Sequence, residues 1–150
     1  MTTTRADTLE TDRSPVSDHE RAMLGYIVEC GALLGLRDWE IVAKKVAPGT
    51  MPEDMIAHAE IAYGRKVLTV SLAQIFWTES PEDQRVDVAH ELVHAHLDEP
   101  GAVVRDIETQ LGTLQYEMLN ETYKRANENA VDAIAVLLAP LLPMPPAPAP

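Results

Sequence analysis

The segment His90-Glu91-Leu92-Val93-His94 constrains the fold of this chain more than any other part of the sequence. On a helix, residues four apart lie on the same side, so both imidazoles can reach one metal ion. Glu91 lies about 100° round the helix from His90, where it can contact a metal-bound water. Zinc accepts nitrogen and carboxylate ligands and makes its bound water acidic enough to yield hydroxide near neutral pH. The spacing therefore predicts a zinc-dependent hydrolase, and a peptidase above all.

The flanking sequence places this pentapeptide on a helix. Ser80-Pro81-Glu82-Asp83 combines a capping serine, a proline at the first helical position and acids in the first turn. We expect a helix from Pro81 to about Leu97, broken by Glu99-Pro100-Gly101. Its inner side is marked by apolar residues at helical spacing, namely Val86, Ala89, Val93 and Leu97.

Composition excludes several classes of protein. The chain has 150 residues and a net charge of −12 with only 12 Lys and Arg, and its basic clusters are pairs such as Lys44-Lys45. A single domain without a nucleic-acid-binding surface is expected. No stretch approaches about 18 uninterrupted apolar residues, so no membrane span is predicted. Cys30 is the only cysteine and lies in an apolar run, and the N-terminus lacks the apolar core of a signal peptide. These features predict a cytoplasmic protein.

The chain divides into three parts. Residues 1–16 are polar and predicted to be a disordered tail, and residues 140–150 are predicted to be a Pro/Ala-rich disordered tail. Residues 17–139 form the domain. It opens with the capping box Ser17-Asp18-His19-Glu20 and a helix that ends around Gly35. The buried side of that helix is predicted to be Met23, Leu24, Ile27, Cys30 and Leu34.

The middle of the domain is strand-like, and its C-terminal part is helical. Strands are predicted from Trp39 to Val46, Ala57 to Tyr63 and Lys66 to Leu72, with the last two forming a hairpin through Gly64-Arg65. From Ala102 to Ala139 we expect helix with an interruption near Gly112. Its apolar positions are Leu111, Leu114, Met118, Tyr123, Ala126, Ala130, Ile134, Leu137 and Leu138. The order predicts an α+β domain with a short antiparallel-containing sheet of about three strands.

A catalytic zinc site usually needs a third protein ligand. The long metzincin pattern requires a histidine six residues after His94, where this chain has Pro100. His96 points about 200° away from His94 on a helix and is read as a surface histidine. Glu128 is the better candidate, because Asp132 follows it by one turn and needs a partner in an apolar stretch. The remaining alternatives are Glu121 and Glu117.

HExxH followed by ExxxD on a later helix resembles the gluzincin class of zinc metallopeptidases. The resemblance implies a small zincin-like domain in which Zn²⁺ is held by His90, His94 and Glu128. It also implies Glu91 as general base and Asp132 as the acid that orients His90. The run from Arg125 to Pro140, with its Ala-rich, Leu-Leu-x-Pro ending, is similar to that of ImmA/IrrE-type proteins. These are intracellular peptidases that often cleave a repressor, so the resemblance implies a protein substrate and a regulatory protein partner.

Zincins resemble one another in laying the substrate along an edge strand beside the site helix. Here that strand would be Lys66 to Leu72 or Ala57 to Tyr63. His58 and Tyr123 are candidates for the oxyanion donor, although a structural role is the expectation for both. Two other readings remain. One is a non-catalytic accessory protein of phage or mobile-element type that uses the metal structurally. The other is a metal-free acidic helical module that uses its Pro-rich tail as a ligand.

Overall fold

The fold is described from a computed structural model, which covers residues 17–62 and 64–147. The predicted N-terminal tail, residues 1–16, and Tyr63 lie outside the described residues. The α+β class predicted from the sequence is confirmed, with an N-terminal helix, a three-stranded sheet and a long C-terminal helix. In chain order the elements are α1 (Asp18–Leu33), β1 (Glu40–Lys45), β2 (Ala57–Ala62), β3 (Val67–Leu72), α2 (Pro81–His96), α3 (Asp98–Asp106) and α4 (Thr113–Leu138), with short 3₁₀ turns at Ile75–Thr78, Glu108–Gln110 and Ala139–Leu141.

Helix α1 begins as the capping box predicts. Ser17 Oγ accepts the backbone N–H of Glu20 at 3.1 Å, and the Glu20 carboxylate accepts the N–H of Ser17 at 2.9 Å. These two bonds satisfy donors that the first turn leaves open. Glu20 also pairs with Lys45 at the end of β1, which ties the start of the helix to the sheet. The buried face of α1 packs into the core through Met23, Tyr26, Ile27, Cys30 and Gly31.

The sheet has the strand order β1-β3-β2, so β3 is central and both of its neighbours are edges. The predicted hairpin is confirmed: β2 pairs antiparallel with β3, and Ala59 lies opposite Val70. β1 is parallel to β3, with Ala43 also beside Val70. Two strands were predicted as the possible edge beside the site. The prediction is wrong for Lys66–Leu72, because that segment contains the central strand β3. Its alternate residues Leu68, Val70 and Leu72 are fully buried, as expected of a central strand.

Helix α2 begins at the predicted cap, where Ser80 Oγ accepts the backbone N–H of Asp83 at 3.1 Å. Its end agrees with the prediction of about Leu97, because α2 stops at His96, Leu97 caps it and the new helix α3 begins at Asp98. Pro100 was expected to break the helix, but it lies in the first turn of α3, where a missing N–H leaves no hydrogen bond unmade. The interruption predicted near Gly112 is confirmed, since Gly112 caps α4.

Helix α4 packs on α2 only through its C-terminal half. Val131 and Ala135 are its fully buried residues. Of the apolar positions named from the sequence, Leu137 near the end is 74% exposed, and Leu114 and Met118 in the first half are 68% and 65% exposed. The helix is amphipathic there, but no other described element covers that face.

The core continues past α4 into the segment that was predicted to be a tail from Pro140. Leu142 is 4% exposed and belongs to the main hydrophobic cluster. The hydroxyl of Tyr26 donates to the carbonyl of Pro143 at 2.8 Å, so this segment is held against α1. Among the residues that the structure describes, no helix combines the length and the apolar character needed to cross a membrane.

Candidate metal centre

Helix α2 presents His90 and His94 on one side, as the i, i+4 spacing predicts. The adjoining positions Ala89, Leu92 and Val93 are buried at 0–1% exposure and hold the helix against the core. The two imidazoles are half-buried at 23% and 19% side-chain exposure. Their Nε2 atoms are 3.2 Å apart. Both metal-binding nitrogens are thus directed at one point at the edge of the core.

Helix α4 supplies a carboxylate at the same point. Glu128 Oε2 lies 3.5 Å from His90 Nε2 and 3.7 Å from His94 Nε2. Within the described part of the chain, His90, His94 and Glu128 are the group of three side chains with donor atoms close enough to hold a metal ion. Glu128 was the first-ranked third ligand, and the structure brings it to both histidines.

The distances fit a zinc ion. Three donors that each lie about 2.0–2.1 Å from one tetrahedral zinc are about 3.3–3.4 Å from one another. The three distances here, 3.2, 3.5 and 3.7 Å, fall around that value. The donor types, two imidazoles and one carboxylate, are also those of open catalytic zinc sites. The geometry and the chemistry of the donor set are therefore compatible with one ion between these three side chains.

Asp132 contacts the far side of the first imidazole. Its Oδ1 is 3.0 Å from His90 Nδ1. An Nδ1–H donated to this carboxylate leaves the lone pair of His90 on Nε2, which is the atom that faces Glu128 and His94. Asp132 and Glu128 are one turn apart on α4, so a single helix face brings both carboxylates to His90.

Burial favours the neutral form of His94. The pKa of His94 is lowered first by desolvation, with His90 and His58 acting in the same direction and Glu128 acting against them. A neutral imidazole is the form that binds a metal. Glu128 is 54% exposed on its side chain, so the group opens to solvent on the α4 side.

Glu91 borders the same cavity as His90 and Asp132 and lies in a more enclosed position. The residue is 6% exposed, and burial followed by the charge of Glu128 raises the pKa of its carboxyl group to about 8. A backbone hydrogen bond from Ala59 on β2 lowers that pKa in part. A carboxyl group with a pKa near neutrality can both accept and release a proton at physiological pH.

The other residues weighed from the sequence lie elsewhere. Glu121 pairs with Lys124 at 3.1 Å on the exposed side of α4, and Glu117 is also exposed. His96 is exposed, and its Nε2 is 2.9 Å from the carbonyl of Leu34. The structure therefore places none of these three beside the two histidines.

The residues suggested as oxyanion donors are both near the site. His58 is exposed on β2, and its charge acts on His94. Tyr123 lines a cavity of about 220 Å³ together with His94, and its hydroxyl lies 3.4 Å from the carbonyl of Leu97. The structure does not favour one of these two residues over the other as the oxyanion donor.

A second carboxyl group on α2 was missed in the sequence. Asp87 precedes Glu91 by one turn, and the i, i+4 spacing of two acids was the available signal. Burial, a hydrogen bond with Glu79 and the nearby negative charges raise the pKa of Asp87 to about 8. Asp87 borders a cavity of about 350 Å³ that also touches His90 and Glu91.

No protein-family model, curated protein or solved structure matches this chain.

Proposed function

We propose that this chain is a zinc-dependent peptidase with His90, His94 and Glu128 as metal ligands and Glu91 as general base. The observation that carries the proposal is the approach of Glu128 to within 3.5 and 3.7 Å of two imidazole nitrogens that are themselves 3.2 Å apart. The acid between the histidines supports a hydrolytic role, because it adjoins the same point and is shielded from bulk water.

Zinc held by these ligands supplies a Lewis acid that makes hydroxide available near neutral pH. Glu91 accepts a proton from the attacking water as the water oxygen bonds to the carbonyl carbon of the substrate. The C–N bond then breaks, and Glu91 delivers that proton to the leaving nitrogen. Asp132 holds the His90 ring in the orientation that directs Nε2 to the site.

The free edge of β2 lies next to Glu91. The N–H of Ala73 donates to the carbonyl of Ile56, which fixes the hydrogen-bond register between β2 and β3. In an antiparallel pair every second residue bonds to the partner strand, so His58 and Glu60 bond to β3, and the residues between them direct their backbone groups to the free edge. Ala59 is one of the latter, and its N–H reaches Glu91. An extended peptide added to this edge as a further strand would pass beside the general base. The backbone groups of β2 that face this edge and do not bond to β3 belong to Ala57, Ala59 and Ile61, and the N–H of Ala59 is the one that bonds to Glu91.

The proposed substrate is a peptide segment of another protein. The resemblance to ImmA/IrrE-type peptidases favours a regulatory protein as the target, and the single buried cysteine agrees with a cytoplasmic setting. Strand addition requires an extended segment, so an exposed loop or linker of that protein would be cleaved.

One observation favours a second function. Glu91 receives a hydrogen bond from Ala59 and is almost fully enclosed, which is how a general base would look if it were withheld from catalysis. The alternative is an accessory protein in which the same metal site is structural and the chain binds a partner without cleaving it. Both functions require zinc, so only turnover separates them.

The test uses the full chain carrying one equivalent of zinc. It is incubated with a proteome-derived peptide mixture, and new termini are identified by mass spectrometry. We expect cleavage by the wild type and none by Glu91→Gln, which should still hold one zinc. Glu60→Gln, an equal charge change on an exposed residue of β2, should cleave like the wild type. Equal cleavage by Glu91→Gln would remove Glu91 from the mechanism, and zinc binding without any new termini would favour the accessory protein.

A further inference from the structure

An apolar cavity of about 640 Å³ lies where the ends of three helices meet. Leu34 caps α1, Leu97 caps α2 and Leu138 is the last residue of α4, and all three border this space. The cavity is larger than those of about 350 and 220 Å³ beside the two histidines. None of the three proposed metal ligands borders it, so it is separate from the candidate metal centre.

Leucine side chains protrude at the rim of this cavity. Leu141 is 75% exposed and Leu33 is 55% exposed, and both also line the cavity. Leu137 precedes Leu141 by about one turn and is similarly exposed. We call the cavity and these three rim residues the leucine surface. Its exposure to water is unfavourable, and an apolar patch of this kind on a folded chain marks an interaction site.

The leucine surface lacks charge, although the chain as a whole has a net charge of −12. Of the described residues that border the cavity, none is an acid, a lysine or an arginine. Its ionisable residue is His96, whose Nε2 is 2.9 Å from the carbonyl of Leu34. No residue from 133 to 150 has a charged side chain. A partner recognised by positive charge would therefore gain nothing from this surface.

The same distribution of charge favours a second copy of the chain at this position. Two acidic copies repel each other over most of their surface, and charges farther apart than about 8–10 Å are largely screened at physiological salt. The leucine surface is where two copies can approach with the least repulsion. Its apolar character then supplies the attraction.

The shape of the leucine surface is self-complementary. In a twofold dimer both copies use the same patch, so a rim leucine of one copy can enter the cavity of its partner, and symmetry provides the reverse contact. A leucine side chain has on the order of 100 Å² of apolar surface, so the three rim leucines expose about 200 Å² on each copy. With the cavity walls added, this area is typical of small interfaces, which hold weak or transient complexes.

We propose that the leucine surface is the interface of a twofold homodimer of this chain. The dimer covers Leu33, Leu137 and Leu141 of both copies and fills the cavity between the ends of α1, α2 and α4. Because none of the proposed metal ligands borders the cavity, the proposal does not depend on the peptidase function.

The experiment is sedimentation velocity of the full chain between about 5 and about 500 μM. We expect the mass to rise from 16.5 kDa to twice that value, with a Kd on the order of 10–100 μM. Leu141→Glu and Leu33→Glu should each weaken the dimer at least about tenfold, because each places a carboxylate without a partner in the interface. Leu114→Glu is the matched control. Leu114 is an exposed leucine of α4 that does not border the cavity, so this variant should form dimers like the wild type.

Salt separates an apolar interface from a charged one. The dimer should become tighter between about 0.05 and about 0.5 M NaCl, since salt screens the repulsion between two acidic copies. Circular dichroism checks that each variant is folded, as expected for substitutions at exposed positions.

Four results would overturn the proposal. A wild type that stays monomeric at about 500 μM would leave the leucine surface to a different protein. Loss of the dimer in Leu114→Glu, or full dimer formation by both Leu141→Glu and Leu33→Glu, would place the interface elsewhere. A dimer that weakens as salt rises would show that charges hold the copies together. A mass that continues to rise beyond two copies would exclude a closed twofold interface.

Discussion

Asp132 Oδ1 lies 3.0 Å from His90 Nδ1, on the side of the ring opposite Glu128. The contact joins α4 to α2 through the same imidazole that faces the proposed metal position. An Nδ1–H donated to this carboxylate would leave Nε2 as the unprotonated nitrogen, which is the tautomer that metal binding requires.

Replacing Asp132 with Asn should weaken zinc binding without abolishing it. The loss of the orienting carboxylate is expected to reduce affinity by about 10–100-fold, since the ligand ring is then less basic and less well held. Competition with a chromophoric chelator measures the change. Glu121→Gln is the matched control, because Glu121 lies on the same helix and pairs with Lys124. Equal affinities for Asp132→Asn and the wild type would show that the contact has no role in the site.

Zinc should raise the thermal stability of the wild type and not that of Glu128→Ala. A ligand at a hundredfold excess over its Kd contributes about 2.7 kcal/mol. For a chain of this size that corresponds to a rise in Tm of roughly 5–10 °C. Differential scanning fluorimetry with and without zinc checks this. Glu117→Ala removes an acid from the exposed side of α4 and should respond like the wild type. A full zinc response in Glu128→Ala would mean that another side chain completes the site.

The zinc-free protein should lose stability as the pH rises from about 4.5 to about 8, the ordinary and the folded pKa of Glu91. Burial raises this pKa in the folded state, so the folded protein binds more protons than the unfolded chain across that interval. Below it the stabilising contribution is fully present, and above it the contribution is lost. The pKa of Asp87 is also raised in the folded protein, so Asp87 contributes to the loss of stability in the same direction.

The measurement is urea unfolding at several pH values in the presence of a chelator. The change assigned to Glu91 is on the order of a few kcal/mol. Glu91→Gln carries no titratable group, so its stability should fall less over the interval and exceed that of the wild type at pH 8.5. Parallel pH profiles for the two proteins would contradict the assignment.

Two glycines of α1 should respond differently to alanine. A Cβ at Gly25 meets nothing within 4 Å, so Gly25→Ala should stabilise the protein by about 0.5–1 kcal/mol through helix propensity. A Cβ at Gly31 would lie 2.2 Å from Ile41 Cδ1 on β1. That contact forces Ile41 to move, and the overpacking is expected to cost about 1–3 kcal/mol. Denaturant unfolding of both variants gives the difference, and equal stabilities would show that α1 does not approach β1 this closely.

Features set by neighbouring residues were predictable from the sequence. The cap at Ser80, the helix that follows it and the shared side of His90 and His94 depend on hydrogen bonds and spacing within one helix. The hairpin of β2 and β3 was predictable for the same reason, because its two strands are joined by a tight turn. Pro100 misled the prediction, since a proline at a helix start and one at a helix end look alike in sequence.

The choice among Glu117, Glu121 and Glu128 required the tertiary structure. All three lie on one helix, and only the packing of Val131 and Ala135 against α2 decides which turn of α4 meets the histidines. The same packing ends before the first half of α4, which is why its apolar residues are exposed.

By itself, the sequence determined the local chemistry: two imidazoles one turn apart, an acid between them, and the capped helix that carries them. The tertiary structure alone decided which acid lies beside the two histidines, which strand has a free edge next to Glu91, and which side chains border the cavity at Asp87. The physical reason is the separation along the chain of the residues that interact. Helix geometry is set by bonds between residues a few positions apart, whereas these three features bring together groups that only the packing of α2, α4 and the sheet can place side by side.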